Sequence, residues 1–225
     1  MLIITDEWKK LYPDAHVGIL IMNGVSNPAF HPDLDREKKQ LEVDLRTLFR
    51  DEGQLKSEET VKAYQAYYKR FKKTYHVMQQ VQSVCFKGRP IPTVAALVEA
   101  MFMAELRNML LTAGHDLESA EPPLRLDASK GDETYVRING TEQILKAGDM
   151  FIADGKGIIS SVIYGPDRRT QISASTRKVC FSVYAVPGVG ERAALQHLKG
   201  IEEYVRLFSP NADIEEMTVY GAGQV

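Results

Sequence analysis

Cysteine is scarce in this 225-residue chain: there are two, Cys85 and Cys180, far apart and each among apolar neighbours. That setting belongs to buried free thiols and not to a disulfide framework, and it leads us to expect a reducing, cytoplasmic environment. No apolar run reaches the length that spans a bilayer, and the N-terminus meets Asp6 and Glu7 with no basic segment before them. Membrane insertion and secretion are therefore not expected. A surplus of positive charge is also missing. Lys and Arg number 28 against 30 Asp and Glu, a net charge of −2, so any contact with nucleic acid must come from a local patch and not from an overall field. The five histidines, His16, His31, His76, His115 and His197, never pair at ligand spacing, and neither a metal nor another cofactor is expected. Phosphate-binding glycine loops are absent too: Pro187-Gly188-Val189-Gly190-Glu191 lacks the third glycine and a following Lys-Ser/Thr pair. No serine stands in a nucleophile elbow.

What is present is enough apolar material for a large core, 44% of residues. The run Val17-Gly18-Ile19-Leu20-Ile21-Met22, closed by Asn23-Gly24, reads as a buried strand and a turn. Helical spacing follows over residues 36–49 (Leu41, Leu45, Leu48) and 57–73 (Val61, Tyr64, Tyr68, Phe71). Asp51-Glu52-Gly53 reads as a stop between them, and Ser57-Glu58-Glu59 as the cap of the second. Pro92-Thr93 opens a third helix, residues 94–111, with almost no polar face, which places it in the interior. After Gly114 the pattern changes to short strands, 124–126, 134–138, 150–153, 158–164 and 179–186, separated by turns such as Asn139-Gly140, Asp154-Gly155 and Gly165-Pro166-Asp167. A last amphipathic helix spans 192–208, and 217–220 is expected to add an edge strand. No repeat or linker divides the chain, so the expectation is one α+β (mixed α/β) domain, residues 1–225.

Several residues carry possible chemistry. His115, in Gly114-His115-Asp116 directly after the buried helix, either faces a cavity as an orienting or acid–base group or is a structural hydrogen-bonder. Asp116 either shares that site or orders its own turn. Arg89, between Gly88 and Pro90, is a cation on a restricted backbone, suited to clamping a phosphate or carboxyl group, or else an ordinary surface charge. The run Lys69-Arg70-Phe71-Lys72-Lys73 interleaves cations with an aromatic residue, but its aromatic positions fall on the apolar face, so a solvated basic face is the favoured reading. Arg168, Arg169, Arg177 and Lys178 form a second basic stretch near the expected site loops and are the candidate RNA contacts.

The ordered blocks Gly88-Arg89-Pro90-Ile91-Pro92-Thr93-Val94, Ala113-Gly114-His115-Asp116-Leu117, Phe151-Ile152-Ala153-Asp154 and Thr176-Arg177-Lys178-Val179-Cys180-Phe181 resemble the B3/B4 domain of the phenylalanyl-tRNA synthetase beta subunit. That domain hydrolyses mischarged aminoacyl-tRNA, and a free-standing relative of it is what the resemblance leads us to expect here. The resemblance implies a B3/B4-like central β-sheet flanked by helices: an N-terminal strand and helical extension over 1–82, a core over 83–186, and a C-terminal helix and strand over 187–225. It implies tRNA or aminoacyl-tRNA as partner and hydrolysis of the aminoacyl ester in trans. His115 is similar in placement to the pocket histidine. Arg89, Thr93, Met101, Phe102, Gly114, Asp116, Gly165 and Thr176 are the implied substrate-binding set. The family's Thr-Asn pair is replaced near Met101 and Phe102, and its tyrosine-recognising glutamate near Phe181-Ser182, which points away from tyrosine specificity. A non-catalytic pocket that holds a free amino acid or another small metabolite is the competing expectation.

Overall fold

The computed structural model describes residues 2–223. In chain order the elements are β1 (Leu2–Ile4), α1 (Asp6–Leu11), β2 (His16–Asn23), α2 (Pro32–Leu48), α3 (Glu52–Ser57), α4 (Glu59–Arg70), α5 (His76–Lys87) and α6 (Ala96–Asn108). There follow β3 (Thr112–Asp116), a 3-10 turn (Leu117–Ser119), β4 (Leu124–Ala128), β5 (Thr134–Val136), β6 (Glu142–Ile144), β7 (Met150–Asp154) and β8 (Gly157–Ser161). The chain closes with β9 (Gly165–Pro166), β10 (Lys178–Ala185), α7 (Glu191–Arg206) and β11 (Asp213–Gly221). The fold is α+β.

Two main sheets organise it. One is antiparallel, in the order β11-β2-β10-β3, so strands from the beginning, middle and end of the chain share it. The other runs β1-β4-β7-β8-β9, with only the β1–β4 pair parallel, and β5 and β6 make a separate hairpin. The continuous apolar run in β2 follows from its position: from Val17 to Met22 every residue is buried, as expected of a strand covered on both faces. Gly18 lets α7 lie close on that strand, since a Cβ there would meet Leu198 Cδ1 at 3.1 Å.

The tyrosines of α4 show why residues 57–75 belong to the body of the fold. Tyr64 donates to Tyr184 O at 2.6 Å and accepts from the Leu111 N–H at 2.9 Å. Tyr68 donates to Val162 O and Tyr75 to Met109 O, both at 2.8 Å. Each ring is buried while its hydroxyl finds a main-chain partner, which is how tyrosine is accommodated in a core. Arg70 lies over the rings of Tyr12, Tyr67 and Phe71, with its Cζ 5.5 Å from each centroid, so this cation is drawn into aromatic packing.

Three boundaries differ from the sequence expectation. Asp51 starts a helix instead of stopping one: its Oδ1 accepts from the Gly53 and Gln54 N–H groups and caps α3. Ser57 ends that helix, and α4 begins after Glu58 with no side-chain cap. Gly114-His115-Asp116 is not a loop. Met109, in the left-handed conformation, ends α6 early, and the chain enters β3 at Thr112.

Candidate functional site

The construction starts from β3. Its register on β10 sets Gly114 opposite Phe181 and His115 opposite Cys180. Space favours glycine at 114: a Cβ would stand 2.7 Å from Ile172 Cδ1 and 3.1 Å from Met101 Sδ, so those side chains would have to shift. Met101, Ile172 and Phe181 thus fill the volume around Gly114. His115 points the other way in the pleat and is fully buried. Its Nδ1 lies 2.8 Å from Thr170 Oγ1 and its Nε2 3.2 Å from Ser160 Oγ. Thr170 is in turn hydrogen-bonded to Asp167 Oδ1, and Ser160 Oγ is 2.7 Å from the Tyr184 hydroxyl. Because a carboxylate only accepts, the proton order is assigned: Thr170 donates to Asp167, His115 Nδ1–H donates to Thr170, and Nε2 accepts from Ser160. Burial pushes the imidazole down to about 3, so it is neutral. The imidazole does not face a cavity, and both ring nitrogens are engaged.

Asp116 and Thr176 are occupied with the loop that follows. Asp116 Oδ1 accepts from the Glu118 N–H at 3.0 Å, while Oδ2 accepts from Thr176 Oγ1 at 2.8 Å. Thr176 Oγ1 also accepts from the Ser173 N–H at 2.9 Å. Arg177 donates to Ala174 O and Thr176 O, at 3.2 and 2.9 Å. Lys178 pairs with Glu215 at 2.6 Å. Together these contacts order residues 170–178 against β3 and β10.

Arg168 and Arg169 stand elsewhere, at a cavity of about 540 Å³ between β5, the start of β8 and the loop after β9. Lys156 joins them there, with Tyr135 and the buried Asp167. Arg169 grips Asp154 through two nitrogens, each at 2.8 Å, and donates to Ser119 O at 3.0 Å. This fixes one wall. Lys156 is held more loosely, 3.5 Å from Glu121. Arg168 has no carboxylate partner among the described residues; its guanidinium lies by Gly140, where a Cβ would be 3.3 Å from one of its nitrogens. Gly165, at φ +79°, makes the turn before this loop, and its carbonyl accepts from the Tyr135 hydroxyl at 2.7 Å. Burial raises the Asp167 carboxyl above the usual range, against the opposing hydrogen bonds from Thr170. Sequence reading singled out Arg168, Arg169 and Gly165 but not Lys156, Asp167 or Tyr135. Their only signals were the turns 154–155 and 165–167 and, for Tyr135, the expected strand 134–138.

Arg89 and Phe102 line a different cavity, of about 360 Å³, together with Gln80, Ser83 and Val84 of α5. Thr93 is exposed, and its Oγ1 accepts from Lys38 Nζ at 2.8 Å. Lys38 is itself buried against Glu99 at 3.1 Å, and Glu99 accepts from the Val94 N–H at 2.7 Å, so this ion pair anchors the segment before α6. Met101 and Phe102, adjacent in sequence, serve opposite surroundings: Met101 the packing around Gly114, Phe102 the cavity beside α5. The expected set therefore divides among a packed core, a basic cavity and a cavity between helices. Among the described residues no group of three or more His, Cys, Asp and Glu stands where it could hold a metal ion, and no helix is long and apolar enough to cross a membrane.

With this geometry in hand, the family model described as the B3/4 domain matches residues 60–218, beyond the 83–186 expected of the core at both ends. Among solved structures, the chain is similar to an N-terminal fragment of the phenylalanyl-tRNA synthetase beta-subunit from Pyrococcus horikoshii. The TM-score is 0.52 at 11% identity, over 95% of this chain and 50% of that one. At that identity the likeness is one of fold, and this chain spans about half the other's length. No curated protein matches the sequence.

Proposed function

This chain belongs to the B3/4 domain family, and from that premise we propose that it binds the acceptor end of an aminoacyl-tRNA at the Arg168 cavity and hydrolyses the aminoacyl ester there. One observation carries the reading. A chain of net charge −2 gathers Lys156, Arg168 and Arg169 at one cavity, and Arg168 has no acid partner among the described residues. Arg169 is neutralised by Asp154, so it is the free Arg168 guanidinium, with Lys156 beside it, that suits a phosphate backbone, a contact that does not read sequence.

The ester is already activated, so the protein's share is to position a water and stabilise the oxyanion. Asp167, at the cavity wall with its affinity for protons raised by burial, accepts a proton from the attacking water. The water oxygen bonds to the carbonyl carbon, the ester C–O bond breaks, and the proton passes to the departing ribose oxygen. Arg168 or Lys156 faces the developing negative charge. His115 is a positioning residue in this scheme, acting on Asp167 through Thr170. RNA binding without hydrolysis is the second reading, favoured by the engagement of both His115 nitrogens.

The test measures tRNA binding across a salt series, and deacylation of a panel of correct and mischarged aminoacyl-tRNAs. Binding should weaken steeply with salt, and Arg168→Ala should lower the log–log slope by about one. Asp167→Asn should keep binding and lose hydrolysis. Binding without hydrolysis in the parent protein selects the second reading; no salt-sensitive binding overturns both.

A further inference from the structure

We infer that the cavity between α5 and α6 is a binding site for a free α-amino acid with an apolar side chain. It stands or falls separately from the RNA reading, because different residues line it.

The site is built around Arg89. Gly88, at φ +63°, closes α5 in the left-handed conformation and turns the chain sharply. The two residues flanking the turn are then pinned: the Arg89 N–H donates to Ser83 O at 3.1 Å, and the Ile91 N–H to Glu42 Oε1 at 2.7 Å. Pro90 stiffens what lies between, and Pro92 the residue that follows. Arg89 is thereby held on a short rigid bridge at the cavity mouth, and it has no carboxylate partner among the described residues. A planar fork of donors so presented matches a carboxylate.

The opposite requirement comes from α5. Gln80 lines the cavity, and its Oε1 is buried with no hydrogen-bond partner. A buried acceptor without a donor is costly unless something supplies one. Its terminal torsion is soft, so the amide can adjust to a donor offered from the cavity that Gln80 lines. Ser83 Oγ donates to Gln79 O at 3.0 Å, which leaves its lone pairs free to accept. Ser83 and Val84 lie at the start of the last turn of α5, on the negative side of the helix dipole, which disfavours a phosphate dianion there, while Gln80 stands in the middle of the helix. Val84, Pro92 and Phe102 complete an apolar wall.

The ligand must therefore offer a carboxylate to Arg89, a donor, preferably cationic, to Gln80 and Ser83, and an apolar group to Val84 and Phe102. A cavity of about 360 Å³ is at the small end of ligand sites. An α-amino acid with an aliphatic or aromatic side chain meets all of these demands in one small molecule. An aminoacyl ester does not, since its carboxylate is consumed.

Calorimetric titration of the full chain with leucine, methionine and phenylalanine should give saturable binding. Leucinamide, which lacks the carboxylate, 4-methylpentanoate, which lacks the ammonium, and inorganic phosphate should each bind at least tenfold more weakly. Arg89→Met and Gln80→Leu should each weaken leucine at least tenfold, with the ligand-free melting temperature unchanged in the first and raised in the second, where a buried unpaired acceptor is removed. Gln80→Glu should retain or tighten it, because a carboxylate is a better acceptor for an ammonium. Absence of saturable binding by all three amino acids overturns the proposal, as does leucine binding indifferent to Arg89. Equal binding of leucinamide removes the carboxylate assignment, loss in Gln80→Glu removes the ammonium assignment, and phosphate binding as tight as leucine makes this a general anion site.

Discussion

His115→Phe separates the two roles open to the buried imidazole. The side chain is fully buried, hydrogen-bonded to Thr170 at 2.8 Å and to Ser160 at 3.2 Å, and burial lowers its pKa from 6.5 to about 3. At pH 7.5 the variant loses both hydrogen bonds, each worth about 1 kcal/mol net, and should be about 2 kcal/mol less stable than the parent. Lowering the pH reverses the comparison. The unfolded chain takes up a proton below pH 6.5 that the folded chain refuses until about pH 3, so this histidine's contribution is intact above 6.5 and drains away as pH falls. At pH 4.5 the parent has lost about 3 kcal/mol through this group alone, a loss the variant cannot share. Urea unfolding at both pH values, with m unchanged, gives the double difference, in which the other titrating groups cancel. The variant's deficit at pH 7.5 should vanish or invert at 4.5. A deficit equal at both pH values would refute the reasoning: the imidazole would then ionise normally in the fold and be open to direct acid–base work.

Glu105 supplies the opposite sign. Burial raises its carboxyl to about 8, against a hydrogen bond from the Thr112 N–H, so its stabilising contribution is complete below pH 4.5 and disappears as pH rises towards 8. Glu105→Gln should remove this dependence, and between pH 5.5 and 8 the parent should lose about 3 kcal/mol relative to the variant; parallel stability curves from chemical denaturation would sink this assignment. Gly114→Ala should cost about 1–2 kcal/mol, because the new methyl meets Ile172 Cδ1 at 2.7 Å. Ile172→Val, which removes that atom, should restore most of the loss in a thermal melt; no restoration would mean that the backbone, not the side chain, carries the strain.

The architecture was legible wherever period and punctuation agreed. The run in β2, the apolar length of α6 and the stripe of α7 each stood within a few residues of their observed bounds. What escaped has physical reasons. α5 has the apolar spacing of Val77, Met78, Val81 and Val84, but its cap at Tyr75 makes no side-chain hydrogen bond, so no start signal marked it. Asp51 caps a helix as readily as it occupies a turn, and only the positions of the Gly53 and Gln54 N–H groups decide. Gly114 looked like loop punctuation, yet it is glycine because three side chains crowd it in a strand, a cause that lies in tertiary packing.

The candidate site was less legible, for a reason that concerns how such a fold is built. The residues that stand out in sequence, His115, Asp116 and Thr176, have polar atoms consumed by the chain itself: they tie β3 to the 167–177 loop and the two sheets to each other. Of the groups left unpaired, Arg168 at one cavity and Arg89 at the other sit beside turns and were visible as cations on irregular backbone, whereas Gln80, inside α5, carried no signal that its oxygen would be left without a donor. Buried polar groups must be satisfied, whereas a binding group must be left unsatisfied until its ligand arrives. In this molecule the two demands fall on different residues, and His115, through Thr170 and Asp167, is where they meet: a fully satisfied interior chain that ends at the wall of the basic cavity.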